Sequence, residues 1–179
     1  MVNSGKNRWL ILYFYRTNQK HYVTNYIGEY ACKVDSKGRV MMPAGLLKQF
    51  PADLRERFVI NRSIFQRCLV LYPMDLWNET AGDLSKLNRF NRDNDAFIRQ
   101  FTNGAFGVDV DATNRILLPK RLLDYATIKS DLVMVANLNK IEIWSAESYD
   151  SVTGSYDPDS FAQLAEKVMG NLGNSGLDL

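Results

Sequence analysis

Histidine is nearly absent from this chain: of 179 residues only His21 carries an imidazole, and only Cys32 and Cys68 carry a thiol. No CxxC pair occurs, so the donor set of a zinc site is missing. The two thiols fall in apolar runs that read as strands, which suits reduced cysteines in or near a core. No apolar run approaches the ~20 residues that a bilayer crossing needs; the longest, Trp9–Tyr15, has seven and is bounded by Arg8 and Arg16. No small-residue cleavage site follows it, which argues against a secretory leader. There is no glycine-rich phosphate loop and no Ser/His/Asp arrangement. Catalysis would have to rest on Asp35, Asp109 and Asp111, without a nucleophile or a base. Charge is also scarce in balance: the net value is +2, too small to announce a nucleic-acid binder.

What the chain does have is one stretch written twice. Val34-Asp35-Ser36-Lys37-Gly38-Arg39-Val40-Met41-Met42-Pro43 runs into Ala44-Gly45-Leu46-Leu47. Val110-Asp111-Ala112-Thr113-Asn114-Arg115-Ile116-Leu117-Leu118-Pro119 runs into Lys120-Arg121-Leu122-Leu123, and every counterpart lies 76 positions on. Gly38 in the first copy answers to Asn114 in the second. Glycine and asparagine interchange most readily in a left-handed backbone, so both positions predict the same tight turn with φ > 0, presenting an arginine. Three apolar residues follow, then a proline suited to the start of a helix. Asp35 and Asp111 stand where a carboxylate accepts the N–H groups of its own turn, and Pro43 and Pro119 set backbone shape.

The repetition extends on both sides. Gly28-Glu29-Tyr30 matches Gly104-Ala105-Phe106; Phe58–Asn61 and Leu69–Tyr72 match Leu132–Val135 and Ile141–Trp144. Each copy reads strand, turn, strand, short helix, strand, strand, a mainly β chain with short helices of α+β class. A unit of ~50 residues buries its apolar face poorly alone, so the two copies are expected to share one core. The divisions are an N-terminal extension (1–25), a first unit (26–77), a helical connector (78–102), a second unit (103–150), and a C-terminal helix and tail (151–179). The connector pattern breaks at Asn91, an N-cap for a helix carrying Phe97, Ile98 and Phe101. The C-terminal helix is expected from Asp157-Pro158-Asp159 to about Met169, with a disordered tail from Gly170. Residues 1–25 read as an appendage: an added strand, a disordered arm, or upstream sequence translated from a misplaced start.

The paired Asp-x-x-x-Arg turns, each with an apolar triplet, proline and a leucine-bearing helix, resemble the MraZ family of bacterial transcriptional regulators. Gly28-Glu29-Tyr30, Leu71-Tyr72-Pro73 and Asn139–Trp144 fit the family at the right separations, and the likeness spans roughly residues 26–150. It departs at Asn114, where the family more often has glycine, and in the extension before Tyr26. The resemblance implies two tandem swapped-hairpin units of the SpoVT-AbrB type, forming a pseudo-twofold barrel. It implies DNA binding, assembly into rings, and regulation of a division and cell-wall gene cluster from the cytoplasm and nucleoid. No cofactor, metal or membrane is expected.

Within this frame Arg39 and Arg115 are the leading DNA-binding candidates, since a guanidinium fork suits both bases and phosphates. Lys37, Lys33, Gly38 and Asn114 join them as turn or flanking residues. The competing reading is that each arginine pairs with its own aspartate and only braces the turn. Residues 26–77 carry eight basic and five acidic side chains against five and seven in residues 103–150. The first copy is therefore expected to be the electropositive one. An alternative function is an AbrB-fold interaction or antitoxin-like module without its own operator. Arg62 and Arg67, in the loop before Leu69, are expected to reach DNA or another subunit.

Overall fold

The computed structural model describes residues 25–173, so the readings made for the N-terminal arm and for the last six residues lie outside the described residues. Two compact units are resolved, one up to Ser145 and one from Ala146 onward. The first contains β1 (Glu29–Lys33), β2 (Arg39–Met41), a single-turn helix α1 (Ala44–Leu47), a 3-10 turn (Ala52–Leu54), β3 (Arg57–Arg62) and β4 (Leu69–Pro73). It continues with helices α2 (Met74–Ser85) and α3 (Arg92–Thr102), then β5 (Phe106–Asp109), β6 (Arg115–Leu117), α4 (Lys120–Tyr125), β7 (Asp131–Asn137) and β8 (Lys140–Ser145). The second unit holds α5 (Ala146–Thr153) and α6 (Pro158–Gly173).

The β-rich architecture with short helices stands, and its main sheet is not closed. Six strands form an open sheet in the order β1-β7-β8-β4-β3-β5, and β2 and β6 form a separate two-stranded ribbon. The edges β1 and β5 belong to different copies, lie at opposite ends of that order and are not paired with each other. The three-residue strands β2 and β6 pair with one another, and β2 meets the end of β1 only through the isolated Val34–Val40 bridge.

Only the hairpins β3–β4 and β7–β8 pair within a copy; β1 pairs with β7, β5 with β3, β4 with β8 and β2 with β6. If each strand is exchanged for its counterpart in the other copy, the order reads the same from the opposite end. The ribbon register is centred in the same way: Val40 lies opposite Ile116, its own counterpart. Neither copy has a core of its own. Phe50, Phe58 and Ile60 of the first are buried with Leu118, Leu122, Leu132 and Met134 of the second in one apolar cluster.

Helix α1 is a single turn that buries Leu46 and Leu47, and Phe50 lies in the turn after it. Leu46, Leu47 and Phe50 are all buried, and the Phe50 ring meets Phe58 edge-on at 4.9 Å. Asn91 caps α3, its side-chain oxygen accepting from Asp93 N at 2.9 Å and Asn94 N at 3.2 Å. The sheet face under α3 holds the fully buried Asn61, whose Nδ2 donates to Phe101 O at 2.7 Å and whose Oδ1 accepts from Arg62 N at 2.8 Å. Both ends of the amide are thus satisfied, as burial demands. Cys32 and Cys68 are free thiols, and burial pushes the Cys68 thiol up to about 12.

In the second unit, Asp157 caps α6, accepting from Asp159 N and Ser160 N at 3.0 and 2.9 Å, with Pro158 as the first helical residue. The helix passes the expected stop at Met169 and continues through Gly170 to Gly173. One glycine in a helix costs about 1 kcal/mol relative to alanine, which is too little to terminate it.

Candidate nucleic-acid interface

The two repeated turns are built alike. Gly38 N donates to Asp35 O and Asp35 N to Arg39 O, both at 2.9 Å; Asn114 N donates to Asp111 O and Asp111 N to Arg115 O, both at 2.8 Å. Gly38 sits at φ 81° and Asn114 at φ 59°, so the left-handed backbone read from the Gly/Asn exchange is present in both turns. Each turn is also tied to the other copy: Leu118 N donates to Gly38 O and Met42 N to Asn114 O, both at 2.8 Å. The turns and the ribbon form one interlocked object.

The aspartates hold the turns from within. Asp35 Oδ1 accepts from Lys37 N at 2.8 Å and Arg39 N at 2.9 Å, while Oδ2 accepts from Arg39 Nε at 2.8 Å. Asp111 Oδ1 accepts from Thr113 N, Thr113 Oγ1 and Arg115 N at 2.8, 2.6 and 3.0 Å, and Oδ2 from Arg115 Nε at 3.0 Å. Each arginine is therefore paired with its own aspartate, and that pairing aims the guanidinium. The bonds from Arg39, its backbone N–H foremost, lower the Asp35 carboxyl to about 2. Asp111 falls well below the usual carboxylate range, chiefly through the Thr113 hydroxyl and then the Arg115 N–H.

A depressed carboxylate stabilises the fold above its unfolded pKa and loses that contribution as pH falls through the folded value. The Asp35 turn is accordingly expected to stay intact from neutral pH to about 4 and to loosen only toward pH 2. An NMR titration of the Asp35 carboxyl carbon should show a midpoint near 2. A midpoint near the ordinary ~3.9 would mean that the carboxylate is not bound as described.

Alternation along β2 and β6 sorts their side chains onto two faces. Val40 and Ile116 point into the core and are fully buried. Arg39, Met41, Arg115 and Leu117 share the opposite face, with Arg39 opposite Leu117 and Arg115 opposite Met41. The ribbon thus presents two arginines at diagonal corners and two apolar side chains at the others. The apolar pair was not read from the sequence, since Met41 and Leu117 sit in triplets that look uniformly buried. The signal available was their position, two residues beyond each arginine in a strand of period two.

The flanking charges are arranged differently from the sequence-based picture. Lys33 lies on β1 and pairs with Asp131 of β7 at 3.4 Å; its counterpart Asp109, on β5, pairs with Arg57 of β3 at 3.6 Å. These are equivalent positions with the signs reversed, so the contrast between Lys33 and Asp109 is offset by the one between Asp131 and Arg57. What distinguishes the two turns is Lys37 against Thr113. The Lys37 ammonium has no acidic partner among the described residues. Lys33 is about four-fifths exposed in a weak surface pair, so it can exchange its partner for a phosphate at small cost.

The other arginines of the first copy are occupied. Arg62 and Arg67 both lie 5.1 Å from the Tyr125 ring centroid, and Arg62 Nε donates to Asn103 O at 2.8 Å. They fasten the loop before β4 to α4. A cleft of about 700 Å³ lies beside the second turn, between Lys48, Arg55 and Arg57 on one side and Asp109 and Asp111 on the other. Among the described residues, no group of three His, Cys, Asp or Glu side chains is placed to hold a metal ion.

A family model described as "MraZ protein, putative antitoxin-like" matches residues 26–100 and again 101–171. The chain belongs to the MraZ family. Relatives named "Transcriptional regulator MraZ" include one from Flavobacterium psychrophilum, 48% identical over 146 residues, covering 82% of this chain and 92% of the relative. Another, from Christiangramia forsetii, is 46% identical over 147 residues, covering 82% and 94%. A third, from Phocaeicola vulgatus, is 37% identical over 150 residues, covering 83% and 96%. The family match begins at Tyr26 and repeats once, with the paired turns at corresponding places in its two segments. No helix among the described residues is long and apolar enough to cross a membrane.

Proposed function

We propose that this chain is a sequence-specific DNA-binding transcriptional regulator that presents the β2–β6 ribbon to the major groove. The observation that carries the reading is the ribbon's outer face, where two aspartate-paired arginines stand on one two-stranded element. B-DNA's major groove admits a two-stranded ribbon, and an arginine fork matches the O6 and N7 acceptors of guanine. Arg39 and Arg115 contact bases. Lys37 and Lys33 contact phosphates, and Gly38 and Asn114 let the turn backbone approach the groove.

The exchangeable strand order supports reading the two copies as tandem AbrB-like units about a pseudo-twofold axis, with the ribbon on that axis. A single ribbon makes few contacts, so useful affinity calls for a homo-oligomer, arranged as a ring, engaging repeated promoter boxes with avidity. The names of the relatives support transcriptional control. By the family resemblance the target is a division and cell-wall gene cluster; the control is read as repression, exercised at the nucleoid in the cytoplasm.

The test is titration of labelled duplex from upstream of the chain's own gene at two salt concentrations. Saturable binding that outcompetes unrelated DNA and weakens with salt is expected. The family description favours one other reading, an antitoxin-like protein-binding module. Binding no tighter to that duplex than to unrelated DNA would overturn the regulator and leave that module.

A further inference from the structure

An arginine-bearing ribbon that met only phosphates would have no use for apolar groups on the same face. Met41 is nevertheless 54% exposed and Leu117 51%, while the residues between them and the arginines, Val40 and Ile116, are fully buried. The register sets Leu117 directly across from Arg39 and Met41 directly across from Arg115. Cross-strand side chains leave the backbone ~4.5–5.5 Å apart, while base pairs are stacked ~3.4 Å apart. An arginine on one base pair therefore brings its cross-strand partner over a neighbouring one.

The major groove offers one apolar feature at that depth, the C5 methyl group of thymine. We propose that Met41 and Leu117 read thymine methyl groups, each beside the base pair that its cross-strand arginine contacts. Methionine is suited to this because its unbranched thioether adapts its shape to a small apolar surface. The arrangement is nearly symmetric on the two strands: an arginine and an apolar reader on one, an apolar reader and an arginine on the other. The favoured box therefore places a thymine beside each contacted guanine. This inference rests on the DNA-binding reading above and adds to it the chemistry of the second base.

The experiment uses the full chain, the labelled upstream duplex, and the same duplex with deoxyuridine in place of thymidine. That replacement deletes the methyl group and keeps base pairing. Wild type is expected to bind the uracil duplex at least about fourfold more weakly, the value of one buried methyl group, with more if several subunits engage. The double variant M41A/L117A is expected to bind the thymine duplex less tightly and to lose the discrimination, its thymine-to-uracil ratio falling to about one. That ratio compares two DNAs on one protein, so a partly misfolded variant does not mimic the result. Equal binding of both duplexes by wild type would overturn the inference alone, as would full discrimination by the double variant. Failure of wild type to bind either duplex would overturn the DNA-binding reading with it.

Discussion

Arg39→Ala is expected to weaken binding of the upstream duplex by about 5- to 150-fold per engaged subunit, corresponding to the ~1–3 kcal/mol of a bidentate base contact. Two effects push the loss toward the upper end. Asp35 now uses both carboxylate oxygens on Arg39 and Lys37. Without the guanidinium it remains as an uncompensated anion facing phosphates. Avidity then compounds a loss repeated at every subunit. Lys37→Ala should weaken binding less and flatten its salt dependence, as expected when one phosphate contact is removed.

Arg115→Ala should do less damage than Arg39→Ala. The difference is expected to be modest, because the reversed pairs Lys33–Asp131 and Arg57–Asp109 leave only Lys37 against Thr113 to separate the turns. The assay is a titration with oligomeric state checked for each variant. If Arg115→Ala abolishes binding while Arg39→Ala is silent, the working turn has been assigned to the wrong copy.

Gly38→Ala is expected to cost about 1–3 kcal/mol of stability, the range for a residue forced into a sparsely populated backbone region. At φ 81° the backbone lies outside the left-handed minimum near +57°, and an added Cβ would meet Leu118 O at 2.9 Å. The obstacle is backbone, and it belongs to the residue whose N–H donates to Gly38 O. Relief of the clash therefore disturbs the junction of the two copies. Asn114→Gly is the matched control: φ 59° is already comfortable for asparagine, so that change should lie within about 1 kcal/mol of wild type. Urea unfolding of both variants measures the difference. Equal stabilities would show that the two turns are not constrained as described.

Much of this site is legible in local chemistry. The Gly38/Asn114 exchange betrays a positive φ because few residues share that backbone, and Asp35 and Asp111 are recognisable as turn acceptors by their distance ahead of it. The apolar Leu46, Leu47 and Phe50 announce burial, although the helix itself stops at Leu47. The partners of the strands are another matter. β2 has three residues and β1 five, and nothing in such short runs specifies which other strand completes their hydrogen bonds. Hence the pairing across copies, the open sheet and the sign-reversed ion pairs are visible only once β1 lies against β7 and β5 against β3. The exposure of Met41 and Leu117 escaped for the same reason, because their face depends on which side of the ribbon the core occupies.

The central claim, that this ribbon reads bases in the major groove, is tested most directly by methylation interference on the upstream duplex. Dimethyl sulfate methylates guanine N7 in the major groove and adenine N3 in the minor groove. Methyl groups on guanine N7 within the repeated boxes are expected to exclude a duplex from the bound fraction, while those on adenine N3 should have no effect. Interference confined to adenine N3, or absent from both positions, would contradict the account.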